Sequence, residues 1–178
     1  MRVIQERVVA LLLVVFLTSC ASLQHASQSL SSDKTLPWIE SLQGQLLVME
    51  PLHRWQVLIQ WQASLEKGVL RLTHAASGRV ADIQWQNQRI QMRDNQGEGL
   101  WQPVTLEQLM QMGIVVAPWE LAAIFHQQVP KPLDYLGDGV WKGVLHGSLV
   151  RIRWQQEEYK LTMVDMTHGR TAILRINP

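Results

Sequence analysis

RWQVLIQWQ (Arg54–Gln62), GVLRLTH (Gly68–His74), GRVADIQW (Gly78–Trp85) and NQRIQMR (Asn87–Arg93) follow one another with only a few residues between them. In each run apolar and polar side chains alternate for most of the length. In the first, Trp55, Val57, Ile59 and Trp61 fall on one side and Arg54, Gln56, Gln60 and Gln62 on the other; only Leu58 breaks the pattern. A period of two puts successive side chains on opposite faces of a strand, so these runs predict half-buried antiparallel strands. They form the middle of a curved sheet whose apolar face either closes over the chain's own helices or holds something greasy.

Working outward, Leu42 to Met49 predicts a preceding strand with Leu42, Leu46 and Val48 on one face, and Pro51 marks the connection that follows it. Pro37 to Glu40 reads as a short helical turn anchored by Trp38. His74 to Gly78 and Gln86-Asn87-Gln88 are hairpin turns, and DNQGEG (Asp94–Gly99) ends the meander. The period then changes. Thr105 and Gln108 have the spacing of a capping box, with Leu106, Leu109 and Met110 on one helical face and Gly113 as the stop. Pro118 suits the first turn of a second helix, where Glu120 complements the dipole and Leu121, Ala122, Ile124 and Phe125 form an apolar stripe; Pro130 and Pro132 end it. Strands resume in VWKGVLH, turn at Gly147-Ser148, and continue through LVRIRWQ, EYKLTMV and TAILRI. The class is α+β: about nine or more strands in one antiparallel sheet, with two short helices inserted midway and buried against it.

Composition bounds the rest. The net charge of +1 lacks the footprint of a nucleic-acid binder. Eight Trp against two Phe and two Tyr suit either a tight core or an apolar cavity with a polar rim. The single cysteine, Cys20, excludes an internal disulfide or a Cys-based zinc cluster.

Residues 1–19 carry Arg2 and Arg7, then an apolar run from Val8 to Leu17, with the length of a signal-peptide core and too short for a stable membrane-spanning helix. LTSC followed by Ala21 resembles a bacterial lipobox, which implies a lipoprotein signal peptide and lipidation of Cys20. With about 0.8 kcal/mol of membrane affinity per buried methylene, several acyl chains on one cysteine make a lasting anchor. Ala21 is not the aspartate that retains lipoproteins at the inner membrane in enteric-type bacteria, so the resemblance implies the outer membrane, on its periplasmic face. Residues 20–37 continue as a Ser-rich polar tether with a reach of about 20–25 Å, and residues 38–178 make up the folded domain.

The order of lipobox, tether, strand meander, two short apolar helices and second meander resembles LolB and its relatives in the LolA/LolB lipoprotein-carrier superfamily. The strand ending Leu70-Arg71-Leu72-Thr73 with its turn, and the segment Thr105 to Pro130, carry the likeness most directly. It covers most of the mature chain by layout more than by identity. It implies an incomplete β-barrel curled around the helices, an apolar cavity for acyl chains, a periplasmic lipoprotein carrier as partner and lipidated proteins as cargo, in a monomer. The family's protruding leucine, needed for membrane delivery, falls in the turn that here offers Ala75 and Ala76, and a methyl group is a poorer wedge by roughly 1–2 kcal/mol of buried area. Within the family, the chain also resembles uncharacterised LolB-like lipoproteins that accompany fatty-acid-type biosynthetic genes.

Residues assigned to the cavity are Trp55, Val57, Ile59, Trp61, Trp85, Ile90, Met92, Leu109, Met110, Leu121, Phe125, Trp154 and Met163. The competing account packs the strand residues against the helix residues with nothing left over, and predicts an adaptor lipoprotein that works by docking to a partner. No catalytic residue, cofactor or metal is expected. His25, His53, His74, His126, His146 and His168 lack zinc-site spacing, and Ser148, in a hairpin turn, lies in no nucleophile elbow. Asp82 and Asp165 read as solvent-facing or turn residues. Lys142, Arg151, Arg153 and Lys160 read as the charged outer face of a sheet.

Overall fold

In the computed structural model, residues 38–97 and 99–177 are described; the leader, Cys20 and the tether lie outside them. The chain builds β1 (Ser41–Met49), β2 (Arg54–Ala63), β3 (Lys67–His74), β4 (Arg79–Gln86), β5 (Arg89–Asp94) and β6 (Gln102–Val104). Helices α1 (Leu106–Gln111) and α2 (Pro118–Phe125) follow. The chain then forms β7 (Leu133–Gly137), β8 (Val140–Leu145), β9 (Ser148–Gln155), β10 (Lys160–Asp165) and β11 (Arg170–Ile176). All eleven strands share one antiparallel sheet in the order β6-β5-β4-β3-β2-β1-β11-β10-β9-β8-β7. The sheet is curved and open, an incomplete barrel with β6 and β7 at its edges.

The alternation in the four quoted runs is borne out strand by strand, but they form one half of the sheet and not its middle, which is β1. Val57, Ile59, Trp61, Leu70, Ile83, Trp85 and Ile90 are buried on the concave face, while Leu58, the exception in β2, lies exposed on the convex one. β1 joins the two meanders by pairing with both β2 and β11. Gly44 sits in that seam. A Cβ there would run into the carbonyl oxygen of Arg175, so only glycine lets β11 come this close.

The helices fill the hollow of the sheet. Thr105 Oγ1 accepts the Gln108 N–H at 3.2 Å and the Gln108 side chain accepts the Thr105 N–H at 2.8 Å, a complete capping box. Pro118 opens α2 and Glu120 Oε2 accepts the Ala117 N–H at 3.3 Å. Its other oxygen stands 2.9 Å from His146 Nε2 in the β8–β9 turn, and burial pushes the Glu120 carboxyl above the usual range despite that neighbour. Leu121, Ala122, Ile124 and Phe125 are all buried, as the apolar stripe predicts.

Several expectations are corrected. Residues 38–40 form no helical turn: Ile39 N–H donates to Phe125 O at 2.8 Å, and Trp38 bridges to His126, its ring 4.9 Å from the imidazole. The turn between β8 and β9 is His146-Gly147, both with positive φ, and Ser148 is a buried first residue of β9. Asp82 is buried, not solvent-facing; Asp165 is buried too, but it serves the turn after β10 by accepting the N–H groups of Thr167 and His168. Asp82 lies on the convex side under two guanidinium groups, with Arg71 Nε at 2.7 Å and Arg93 Nε at 3.0 Å, and Arg93 also lies over the Trp101 ring. The Arg71 hydrogen bond is the main reason its carboxyl is held below the usual aspartate range.

Candidate functional site

The concave interior has three zones along the barrel. In the middle, Trp61 meets Trp85 at 4.9 Å between ring centroids and Phe125 of α2 edge-on at 5.8 Å. Ile59, Ile90, Leu121, Trp154 and Met163 are buried in the same core. This zone is filled by the protein itself. The indole N–H groups of Trp61, Trp85 and Trp154 are buried there without a hydrogen-bond partner.

At the end where β2 and β4 begin and β3 and β5 finish, the packing gives way to a cavity of about 310 Å³. Trp55, Val57, Leu72, Ala81, Ile83 and Met92 from the strands form its wall, closed by Leu109, Met112 and Ile114 from α1 and the segment after it. The geometry follows from the pleat. Inward residues of four adjacent strands supply one apolar wall, and the short α1 covers only part of it. Gly113, with φ +94°, turns the chain away from α1; a Cβ there would lie 2.9 Å from the Trp55 ring.

The rim of this cavity is polar. His74, Arg79 and Asp94 stand on it. His74 Nδ1 lies 2.9 Å from Ser77 Oγ and accepts the Ser77 N–H at 3.3 Å, and Gly78 N–H donates back to His74 O at 2.9 Å. Asn95 fastens this turn to the end of β5: its Oδ1 accepts the Val80 N–H at 2.8 Å and its Nδ2 donates to Gly78 O at 3.0 Å. Ala75 and Ala76 are therefore exposed on a braced turn beside the mouth.

Of the residues assigned to a cavity from sequence, Trp55, Val57, Met92 and Leu109 line this one. Ile59, Trp61, Trp85, Ile90, Leu121, Phe125, Trp154 and Met163 belong to the packed middle, and Met110 is half-buried with its carbonyl oxygen accepting Arg170 Nη1 at 2.6 Å. Leu72, Ala81 and Ile83 were legible from the same alternation that marks Met92. Met112 and Ile114 carried no periodic signal, because they flank the helix stop at Gly113.

A second cleft, of about 1030 Å³, opens at the opposite end and is mostly polar, with Glu40, Gln62, Lys67, Gln84, Arg89 and Gln91 around Trp85 and His126. Elsewhere, Ser148 Oγ and Asp165 Oδ2 approach His168 at 3.2 and 2.7 Å, but both meet the same ring nitrogen, Nδ1. A relay through imidazole needs one partner on each nitrogen. Asp165 also accepts the N–H groups of Thr167 and His168, so the cluster shapes the β10–β11 turn.

No family model matches this chain, and no curated protein matches it in sequence. Among solved structures it is similar to a LolA superfamily protein from Nitrosomonas europaea. The identity is 12% and the TM-score 0.46, over 82% of this chain and 88% of that one.

Proposed function

We propose that the protein is a lipid-anchored binding protein of the periplasmic face of the outer membrane, held by Cys20, which takes a hydrocarbon chain into the cavity between α1 and β2–β5. The observation that carries this reading is the cavity itself, walled by Trp55, Val57, Leu72, Met92, Leu109 and Ile114 and open at one end. Its volume is at the lower bound of about 300–1,000 Å³ for ligand sites, and its lining of apolar side chains with a few polar groups at the edge is the usual composition of such sites. The layout resembling LolB supports the same reading, with receipt and localisation of lipidated proteins as its extended form. No covalent chemistry is proposed.

Titration of the full-length protein with dansyl-labelled undecanoate tests it. Saturable fluorescence enhancement is expected, and Ala81→Trp, which fills the cavity from its β4 wall, should abolish it without lowering the melting temperature by more than a few degrees. Absence of binding to the unsubstituted protein would overturn the reading. The filled middle zone around Trp61, Trp85 and Phe125 favours a second account in that event: an adaptor that acts through a protein partner with no ligand inside.

A further inference from the structure

The size and rim of the cavity narrow the ligand class further, on the premise that it holds a hydrocarbon chain as proposed above. A cavity of about 150 Å³ accommodates one benzene ring, or about 25 Å³ per carbon. On that scale the 310 Å³ here is filled by a single chain of roughly twelve carbons. The two or three long chains of a diacyl or triacyl anchor need several times more, and the interior has no room to extend the cavity. Immediately below it, Val57 and Ile83 give way to Ile59, Trp61, Trp85 and Phe125, all buried, with the Trp61 ring against both Trp85 and Phe125.

The mouth carries one guanidinium, one imidazole and one carboxylate, and they differ in what already holds them. Arg79 is exposed on the rim, and among the described residues its side chain makes no ion pair and no hydrogen bond. His74 adds a donor: with Nδ1 accepting from the Ser77 N–H, the neutral ring carries its proton on Nε2. The one acid among the lining residues is Asp94; its Oδ1 accepts the N–H groups of Gln96 at 3.1 Å and Gly97 at 2.7 Å, which fixes the carboxylate toward its own turn and leaves its charge on the rim. Asn95 holds the His74–Gly78 turn, and with it the start of β4, against the end of β5, so Arg79 is placed by a braced backbone.

We infer that this site binds a single-chain amphiphile with an anionic head, its hydrocarbon tail in the cavity and its carboxylate or phosphate on Arg79 and His74. The guanidinium fork suits either oxyanion, because both offer two acceptor oxygens to parallel N–H donors. A charged head left at the rim stays partly solvated, and only the tail is fully buried.

The experiment is calorimetric titration of the full-length protein with dodecanoate, dodecyl phosphate, dodecanol and dodecyltrimethylammonium, each below its micellar concentration. The anionic compounds should bind at least tenfold more tightly than dodecanol, and the ammonium compound more weakly than dodecanol. Arg79→Ala should bring dodecanoate to the dodecanol level and leave dodecanol unchanged; Arg79→Lys should restore part of the preference, and Arg79→Glu should reverse it toward the ammonium. Comparison of the two anionic arms identifies which oxyanion the rim prefers. Equal binding of dodecanoate and dodecanol would overturn the headgroup assignment while leaving the hydrocarbon site standing. Tighter binding of a two-chain phosphatidic acid than of dodecyl phosphate would overturn the single-chain limit. Failure of all four compounds to bind would remove the hydrocarbon site itself.

Discussion

Phe125 of α2 meets Trp61 of β2 edge to face, with ring centroids 5.8 Å apart and the planes at 79°. Phe125 is fully buried, and this contact seats the second helix in the hollow of the sheet. Phe125→Ala is expected to cost about 3–5 kcal/mol, the range for removing a large aromatic side chain from a core that relaxes only in part. Urea unfolding followed by tryptophan emission measures it. A loss under about 1 kcal/mol would show that the helix packs elsewhere.

The Asp82 carboxylate, tied down by Arg71 and Arg93 on the convex face, makes stability depend on acidity. Its pKa is lowered in the folded state, so the contribution is present above the unfolded aspartate value of about 3.9 and is lost as pH falls through the lower folded value. Both guanidinium groups are well exposed, which keeps the expected cost of Asp82→Asn near neutral pH to about 1 kcal/mol. Melting curves of the two proteins should converge as pH drops from about 4. Curves that stay parallel down to pH 2 would show that the ion pairs add nothing.

Gly44 allows β1 and β11 to approach so closely that a methyl group would overlap the Arg175 carbonyl. Gly44→Ala should destabilise the fold by about 1–3 kcal/mol through backbone displacement, since nothing in the contact is a flexible side-chain end. Hydrogen exchange should report it first at the amides paired between β1 and β11, with the β3–β4 ladder unaffected. Unchanged protection across that seam would contradict the contact.

The turn carrying Ala75 and Ala76 stands braced beside the cavity mouth. Ala76→Leu adds a larger apolar tip without touching the core, and it should raise partitioning onto anionic vesicles by roughly tenfold, consistent with 1–2 kcal/mol of added apolar burial. Flotation of the vesicles measures the bound fraction. No gain would show that the turn makes no contact with a bilayer surface.

Much of this architecture is legible in the alternation itself. The inward sets Val57–Ile59–Trp61 and Leu42–Leu46–Val48 are buried as their spacing requires, and both helix starts are announced by Thr105 and Pro118. What escaped reading depends on which residues the strand register sets side by side. Asp82 looks like a solvent-facing strand residue until Arg71 and Arg93 are brought over it by two different pairings. The edge strands were missed for local reasons: β6 is three residues around Pro103, and β7 has an irregular register between Tyr135 and Gly137. The division of the interior into a packed middle and an open end lies beyond periodicity. Trp55 and Trp61 share one face of one strand, yet one lines the cavity and the other lies in the core, because α2 reaches only the second.

The pairing of β1 with β11 joins residues Gly44–Met49 to Thr171–Ile176, the two extremes of the described chain. A polypeptide emerging from its amino end can zip β1 through β5 early, since those hairpins are local, but one flank of β1 then waits for the final strand. Until that strand arrives, the early half presents an unpaired edge and a half-covered apolar face at once. The half-made chain is therefore the state in which it is most exposed to aggregation, and help from a holding factor matters most before the last strand has been synthesised.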